Sequence, residues 1–332
     1  MKFRVLAFSR FLLGVAVVFA ANFLAGALTP QSDSLRRFDL FYRPLLLVFL
    51  LAGFSVLVLQ LDRVAGNPLA AMGLARRPPW LRDLWVGALL GSGTVALAVA
   101  VVAIFGTLTI RVALTARTVQ LALAVIVVLV TGAAAEEVSF RGYPFQRLIE
   151  AIGARLAVVV LSALFGAVHL LNPHASLWGF LNTVLVGVLL ALAYLRTRSL
   201  WMPIAIHFAW NATLGLVFGL PVSGLTEFSV IARGHAEGPL WLTGGSYGIE
   251  ASLVGAAAIL LGIGLLLLFV PSRGMSEVPE ISTPVMYGPA ELVSGNGSQL
   301  QLPLRGERPT REASSASPES SVPRNPDNPS TG

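Results

Sequence analysis

The stretch TGAAAEEVSFRGYPFQ, residues 131–146, places Glu136, Glu137 and Arg141 directly after the apolar run LALAVIVVLV. Between Asp83 and Glu227 the only acids are Glu136, Glu137 and Glu150. Ionisable side chains inside an apolar helix are costly and mark function by default. On a helix Glu137 and Arg141 are four residues apart and share a face, while Glu136 points about 100° away. One carboxylate can therefore pair with the arginine while the other faces a partner helix or a cavity. Two further segments carry groups of the same kind. His169 closes FGAVH on the same face as Phe165, and His207 and Asn211 lie one turn apart in HFAWN. Two carboxylates, two imidazoles and a carboxamide on separate helices suit hydrolysis of an amide. A glutamate or a His–Glu pair takes a proton from water as general base, and His or Asn donates to the developing oxyanion.

The same donors are ordinary ligands of a divalent metal such as zinc, whose open coordination position would hold the attacking water. If a metal is present, Glu136, His169 and His207 are the expected ligands. There is no HExxH of a zinc protease helix. Each group also has a structural reading: Glu137 and Arg141 as a plain ion pair, and His169 and Asn211 as interhelical hydrogen-bond partners that hold helices together in lipid. His174 in NPHASLW and His235 in ARGHAEG read as loop residues.

Helices that cross a bilayer must position these groups. The chain has 332 residues, 55% hydrophobic and 12% charged, against about 25% charged in a soluble domain, and its mean hydropathy is +0.76. The expected fold is all-α, a polytopic transmembrane bundle. Apolar runs of about 20 residues predict about eight spans, near 8–28, 41–60, 84–106, 119–147, 154–171, 177–195, 201–220 and 249–271. The first is read as a retained helix rather than a cleaved signal peptide, because its apolar run exceeds the about 7–15 residues of a signal core. The fourth is long enough to tilt or run past the bilayer. Four regions result: N-terminal helices over 1–118, a catalytic helix core over 119–220, an external loop with the last helix over 221–274, and a disordered tail over 275–332. That tail, which ends ERPTREASSASPESSVPRNPDNPSTG, lacks the apolar residues that offset ordering entropy.

The absence of cysteine excludes a disulfide framework, a thiolate zinc site and a cysteine nucleophile. The net charge of +6 rests on arginine, with Lys2 the sole lysine; it marks cytoplasmic loops rather than nucleic-acid binding. With both termini inside, Lys2, Arg4, Arg10, Arg63, Arg76, Arg77, Arg82, Arg141, Arg147, Arg155, Arg196, Arg198 and Arg273 fall on the cytoplasmic side of a plasma membrane. Only Arg36, Arg37, Arg43, Arg111, Arg117 and Arg233 fall opposite. Trp80, Trp85, Trp178, Trp201 and Trp241 sit at span edges, where amphipathic rings meet headgroups. If the fourth helix reaches the cytoplasmic surface near Arg147, Glu136 lies about 16 Å inside and His169 about 21 Å from Arg155. Asn211 and His207 then lie about 15 and 9 Å in from Trp201, so the four share one depth zone.

EEVSFR fits EExxxR, FGAVH fits FxxxH and HFAWN fits HxxxN, in that order and on separate helices. Over about residues 120–215 the chain resembles the CAAX prenyl endopeptidase and bacteriocin-processing family of intramembrane proteases, CPBP. The resemblance implies that Glu136 activates water with help from His169, that His207 and Asn211 stabilise the oxyanion, and that Glu137 and Arg141 support the site. Both metal-dependent and metal-free glutamate mechanisms are argued for such enzymes. An arginine-rich composition points to a GC-rich bacterial genome, so the expected substrate is a membrane-associated protein or peptide rather than a prenylated one. The alternatives are a non-catalytic scaffold or bacteriocin-immunity-type protein, and a small-solute or proton transporter in which buried Glu, His and Arg mark an ion path.

Overall fold

The computed structural model describes residues 2–28, 36–62, 67–76 and 79–273. The tail expected to be disordered, 275–332, lies outside the described residues. The helices are α1 (Lys2–Leu28), α2 (Arg36–Leu61), α3 (Pro68–Ala71), α4 (Trp80–Phe105), α5 (Ala116–Arg141), α6 (Tyr143–Ile152), α7 (Ala154–Val168), α8 (Leu177–Thr197), α9 (Trp201–Ala212), α10 (Leu240–Thr243) and α11 (Leu253–Phe269). A membrane helix bundle is what this hydropathy dictates, because in lipid each backbone group must be paired within its own segment.

Among the described residues five stretches are long and apolar enough to cross a membrane: Phe3–Leu28, Trp80–Phe105, Ala116–Ile152, Ala154–Leu171 and Leu177–Thr197. The spans expected at 41–60 and 249–271 coincide with shorter apolar helices, Pro44–Gln60 and Leu253–Phe269. The one expected at 201–220 is α9 followed by a π-helical turn, Thr213–Val217.

Two details depart from the sequence reading. The continuous helix expected over 119–147 is α5 followed by α6, with the break at Gly142. A Cβ there would lie 2.3 Å from the carbonyl oxygen of Val138, and Pro144, near the start of α6, has no N–H to continue the ladder. Beyond the break, Phe145 and Leu148 are fully buried against Val158, Leu161 and Tyr194. The second departure is a two-stranded antiparallel sheet. Strand β1 (Thr107–Val112) pairs with β2 (Ala232–Glu237), Thr107 opposite Glu237 and Val112 opposite Ala232. His235 therefore lies on a strand, paired with Glu237, and not in a loop. His174 does lie in a loop, at φ 58°. The segment after α9 folds back onto the bundle, and its Leu220, Val222, Leu242 and Ile249 join Val99, Val102, Phe165, Leu189 and Trp210 in the main core.

Small residues set the closest helix contacts, as is usual where lipid offers no hydrophobic drive for helices to associate. Cβ atoms added at Gly87 and Gly91 of α4 would lie 2.7 and 2.5 Å from the carbonyl oxygens of Met202 and Ile206 on α9. At Gly187 of α8 a Cβ would come within 2.9 Å of Ser162 on α7. One end of the bundle is clamped by Arg273, whose guanidinium donates to Asp83 at 2.5 and 2.9 Å and to the carbonyl of Thr197 at 2.8 Å.

Gly91→Ala is expected to force α4 from α9 and cost about 1–3 kcal/mol, as overpacking does. Gly93→Ala, where nothing lies within 4 Å of the added carbon, should leave stability unchanged or raised. Thermal unfolding in detergent, followed by tryptophan fluorescence, compares the two; equal midpoints would contradict the close packing.

Candidate active site

The site is built outward from Glu137, whose side chain has 0% exposure on α5. Its Oε1 accepts from Arg141 Nη1 at 3.1 Å, one turn along, and from Nδ1 of His207 on α9 at 2.9 Å. Arg141 is equally enclosed. Its Nη2 donates to the carbonyl of Gly187 on α8 at 3.1 Å, and its Cζ lies 4.4 Å from the ring centre of Phe165 on α7. One ion pair thus joins four helices. Phe165 also packs against His169, with centroids 4.6 Å apart, and meets His207 edge-on at 6.0 Å.

These contacts decide which ring nitrogen faces Glu136. A carbonyl or ionised carboxylate only accepts, so a ring nitrogen bonded to one must carry the proton. His169 Nδ1 donates to the carbonyl of Phe165 at 2.7 Å, and His207 Nδ1 donates to Glu137. In each neutral ring Nε2 is left as a bare lone pair. Both lone pairs face Glu136: Nε2 of His207 lies 3.8 Å and Nε2 of His169 4.0 Å from Glu136 Oε2. The side chain of Glu136 is 41% exposed, yet Oε2 is shielded and has no hydrogen-bond partner among the described residues.

Three acceptors face one another across gaps too long for direct hydrogen bonds. Such a set calls for a donor or a cation between them. A water oxygen about 2.8 Å from Glu136 Oε2 and from one imidazole would span that gap by donating one proton to each, which leaves the other imidazole to a second donor. Ligands of a tetrahedral zinc at about 2.0–2.1 Å lie about 3.3 Å apart, closer than the 3.8 and 4.0 Å seen. Among the described residues no group of three or more His, Asp or Glu is arranged to hold a metal ion. As arranged, Glu136 Oε2 stands farther from each imidazole than the ligands of a tetrahedral zinc stand from one another.

The structure brings Glu136, Glu137, Arg141, His169 and His207 into one cluster. Asn211 lies one turn beyond His207 on α9 and is partly buried; it makes no hydrogen bond with the cluster, and its carboxamide is unengaged among the described residues. Gly187 escaped sequence reading, and Phe165 was read only as sharing a face with His169. Gly187 acts through its carbonyl, which leaves no side-chain signal. Phe165 carries one, since it opens the FGAVH segment, but its contact with Arg141 depends on tertiary packing. The sequence reading also passed over GGSYG at 244–248, which has the GxSxG spacing of a nucleophile elbow. It forms a 3-10 turn rather than a strand-to-helix corner, and Ser246 has no histidine partner among the described residues.

Residues 118–213 match the family model described as type II CAAX prenyl endopeptidase Rce1-like. This segment is similar to Rce1-like domains. The likeness to CPBP intramembrane proteases read from the three motifs is therefore shown for the segment that holds them. No curated protein and no solved structure gives a match. The Rce1-like match contains Glu136, Glu137, Arg141, His169, His207 and Asn211, and with the apolar helices it makes the chain a multi-pass membrane protein of the intramembrane protease kind.

The two adjacent glutamates should separate in a stability measurement. Glu137→Ala strands the buried Arg141 and is expected to cost about 3–5 kcal/mol. Glu136→Ala removes a half-exposed group without a hydrogen bond and should leave the unfolding midpoint within error of the parent. Reversal of that order would refute the assigned roles.

Proposed function

We propose that this protein is an intramembrane endopeptidase that cleaves a peptide bond in a membrane-associated protein or peptide with a water activated by Glu136. The observation that carries the reading is the convergence of Glu136 Oε2 with Nε2 of His207 and of His169 at 3.8 and 4.0 Å. A water between them gives one proton to Glu136 and hydrogen-bonds through the other to His169. Its oxygen attacks the carbonyl carbon, and the oxyanion takes hydrogen bonds from the Asn211 carboxamide and, when its ring carries both protons, from His207 Nε2–H. Glu137 is then the counter-ion of His207, and Arg141 keeps that carboxylate in place. Glu136 returns its proton to the leaving amine as the C–N bond breaks, which regenerates the carboxylate.

We place the chain in the plasma membrane with both termini cytoplasmic and the site open to that side, on the arginine asymmetry of the loops. A purely scaffolding relative has no use for a Glu136 whose Oε2 is left without a hydrogen-bond partner among the described residues, and that oxygen favours the enzyme.

Mass-spectrometric labelling of protein N-termini, on membranes from cells expressing the parent or Glu136→Ala, tests the reading without a known substrate. New N-termini should appear with the parent and fall by about 10²–10⁴-fold in the variant. Identical sets of N-termini, with both proteins inserted and folded, would remove the hydrolase assignment. On a substrate so identified, His207→Ala and Asn211→Ala should lower kcat, by about 10²–10³-fold for a lost oxyanion donor, with KM little changed. A change confined to KM would take them out of that role.

A further inference from the structure

Outside the matched segment the bundle buries a second glutamate. Glu250 lies just before α11 and is 9% exposed. Its Oε1 accepts from Trp210 Nε1 on α9 at 2.9 Å. Its Oε2 accepts from the Ser223 backbone N–H and from the Ser223 hydroxyl at 3.1 Å. Asn182 of α8 donates to the Glu250 carbonyl at 2.8 Å. No ion pair with a cation offsets the charge among the described residues. A buried acid held by neutral donors alone is costly in a membrane bundle, and packing by itself would be served by an apolar residue.

The donors lead to the active site from two sides. Trp210 stands between His207 and Asn211 on α9. The carbonyl of Ser223 accepts from Asn172 Nδ2 at 3.1 Å, and Asn172 follows the short helical turn His169–Leu171. One carboxylate thus ties the helix bearing His207 and Asn211 to the segment bearing His169, neither of which is bonded directly to the other. We infer that Glu250 is a positioning residue, which sets the spacing of the two imidazoles around Glu136. The inference rests on the protease reading for its purpose, but its geometry can be tested apart from it.

The chain contains no cysteine, so spin labels can be placed cleanly. Leu171→Cys and Val217→Cys, at positions 89% and 61% exposed, flank the two tethered segments in the full chain in lipid nanodiscs. Pulsed electron spin resonance is expected to give one narrow distance in the parent pair. Glu250→Ala should broaden it, as should Trp210→Phe, which removes only the indole N–H and covers the case in which the first variant fails to fold. Glu250→Gln retains an acceptor for Trp210 and should recover much of the narrow population. Asp83→Asn, which weakens the distant Arg273 clamp, should lower thermal stability without broadening the distance. An unchanged distribution in Glu250→Ala and Trp210→Phe, or equal broadening in Asp83→Asn, would overturn the inference. With a cleaved substrate in hand, Glu250→Ala should lower kcat by about 10–100-fold with KM little moved, and a loss in KM alone would also overturn it. Broadening in a protein without proteolytic activity would uphold the tether and refute the protease reading instead.

Discussion

Everything around the site depends on the enclosure of Glu137 with Arg141 away from solvent. An ion pair inside a bundle offsets its desolvation better the more of its hydrogen-bonding capacity is used; here Glu137 Oε1 and the guanidinium recruit neighbours, while Glu137 Oε2 is buried without a hydrogen-bond partner among the described residues. Arg141 needs the carbonyl of Gly187, so α8 must approach with a glycine. Phe165 lies against the guanidinium, which brings α7, and with it His169, to the same level. His207 shares the oxygen that Arg141 holds, which orients its ring. The pair performs no chemistry itself, yet it decides where each reacting group can stand.

Close approach is the other half of the design. Polar groups on four helices can meet within hydrogen-bond range only where backbones nearly touch, and Gly87, Gly91 and Gly187 permit this. Glu136 is the complement of this order. It sits next to Glu137 in sequence but a third of a turn away, so the helical rise that buries one carboxylate presents the other to the cavity. Adjacent residues of one chemical type thereby receive opposite environments, one enclosed and hydrogen-bonded and one partly exposed without a hydrogen bond.

Much of this was legible from residue order because lipid imposes simple rules. Apolar length located the helices, and scarcity made Glu136, Glu137, His169 and His207 stand out. The pairing of Glu137 with Arg141 followed from a spacing of four. Other features left no local trace. The partner of the strand TLTIRV lies more than 100 residues downstream, and its own β-branched alternation is short enough to be lost between two long apolar runs. The end of α5 at Arg141 was half visible, since Pro144 signalled a break but the steric demand at Gly142 depends on Val138. Glu250 was readable only as an acid at the edge of a span, because Trp210, Ser223 and Asn182 converge on it through tertiary structure alone.

The pairing of β1 with β2 has a consequence for how such a protein can vary. Thr107 and Glu237 lie side by side, so the stretch that holds all six site residues leaves the bundle where it entered. The chain between them is a closed cassette, fastened by its own two-stranded clasp. The clasp does not isolate that segment, since α4 before it packs against α9 through Gly87 and Gly91 and Glu250 after it holds Trp210. Variation in the segment is therefore bound to variation in the helices that flank it, because the clasp holds both of its ends in one place.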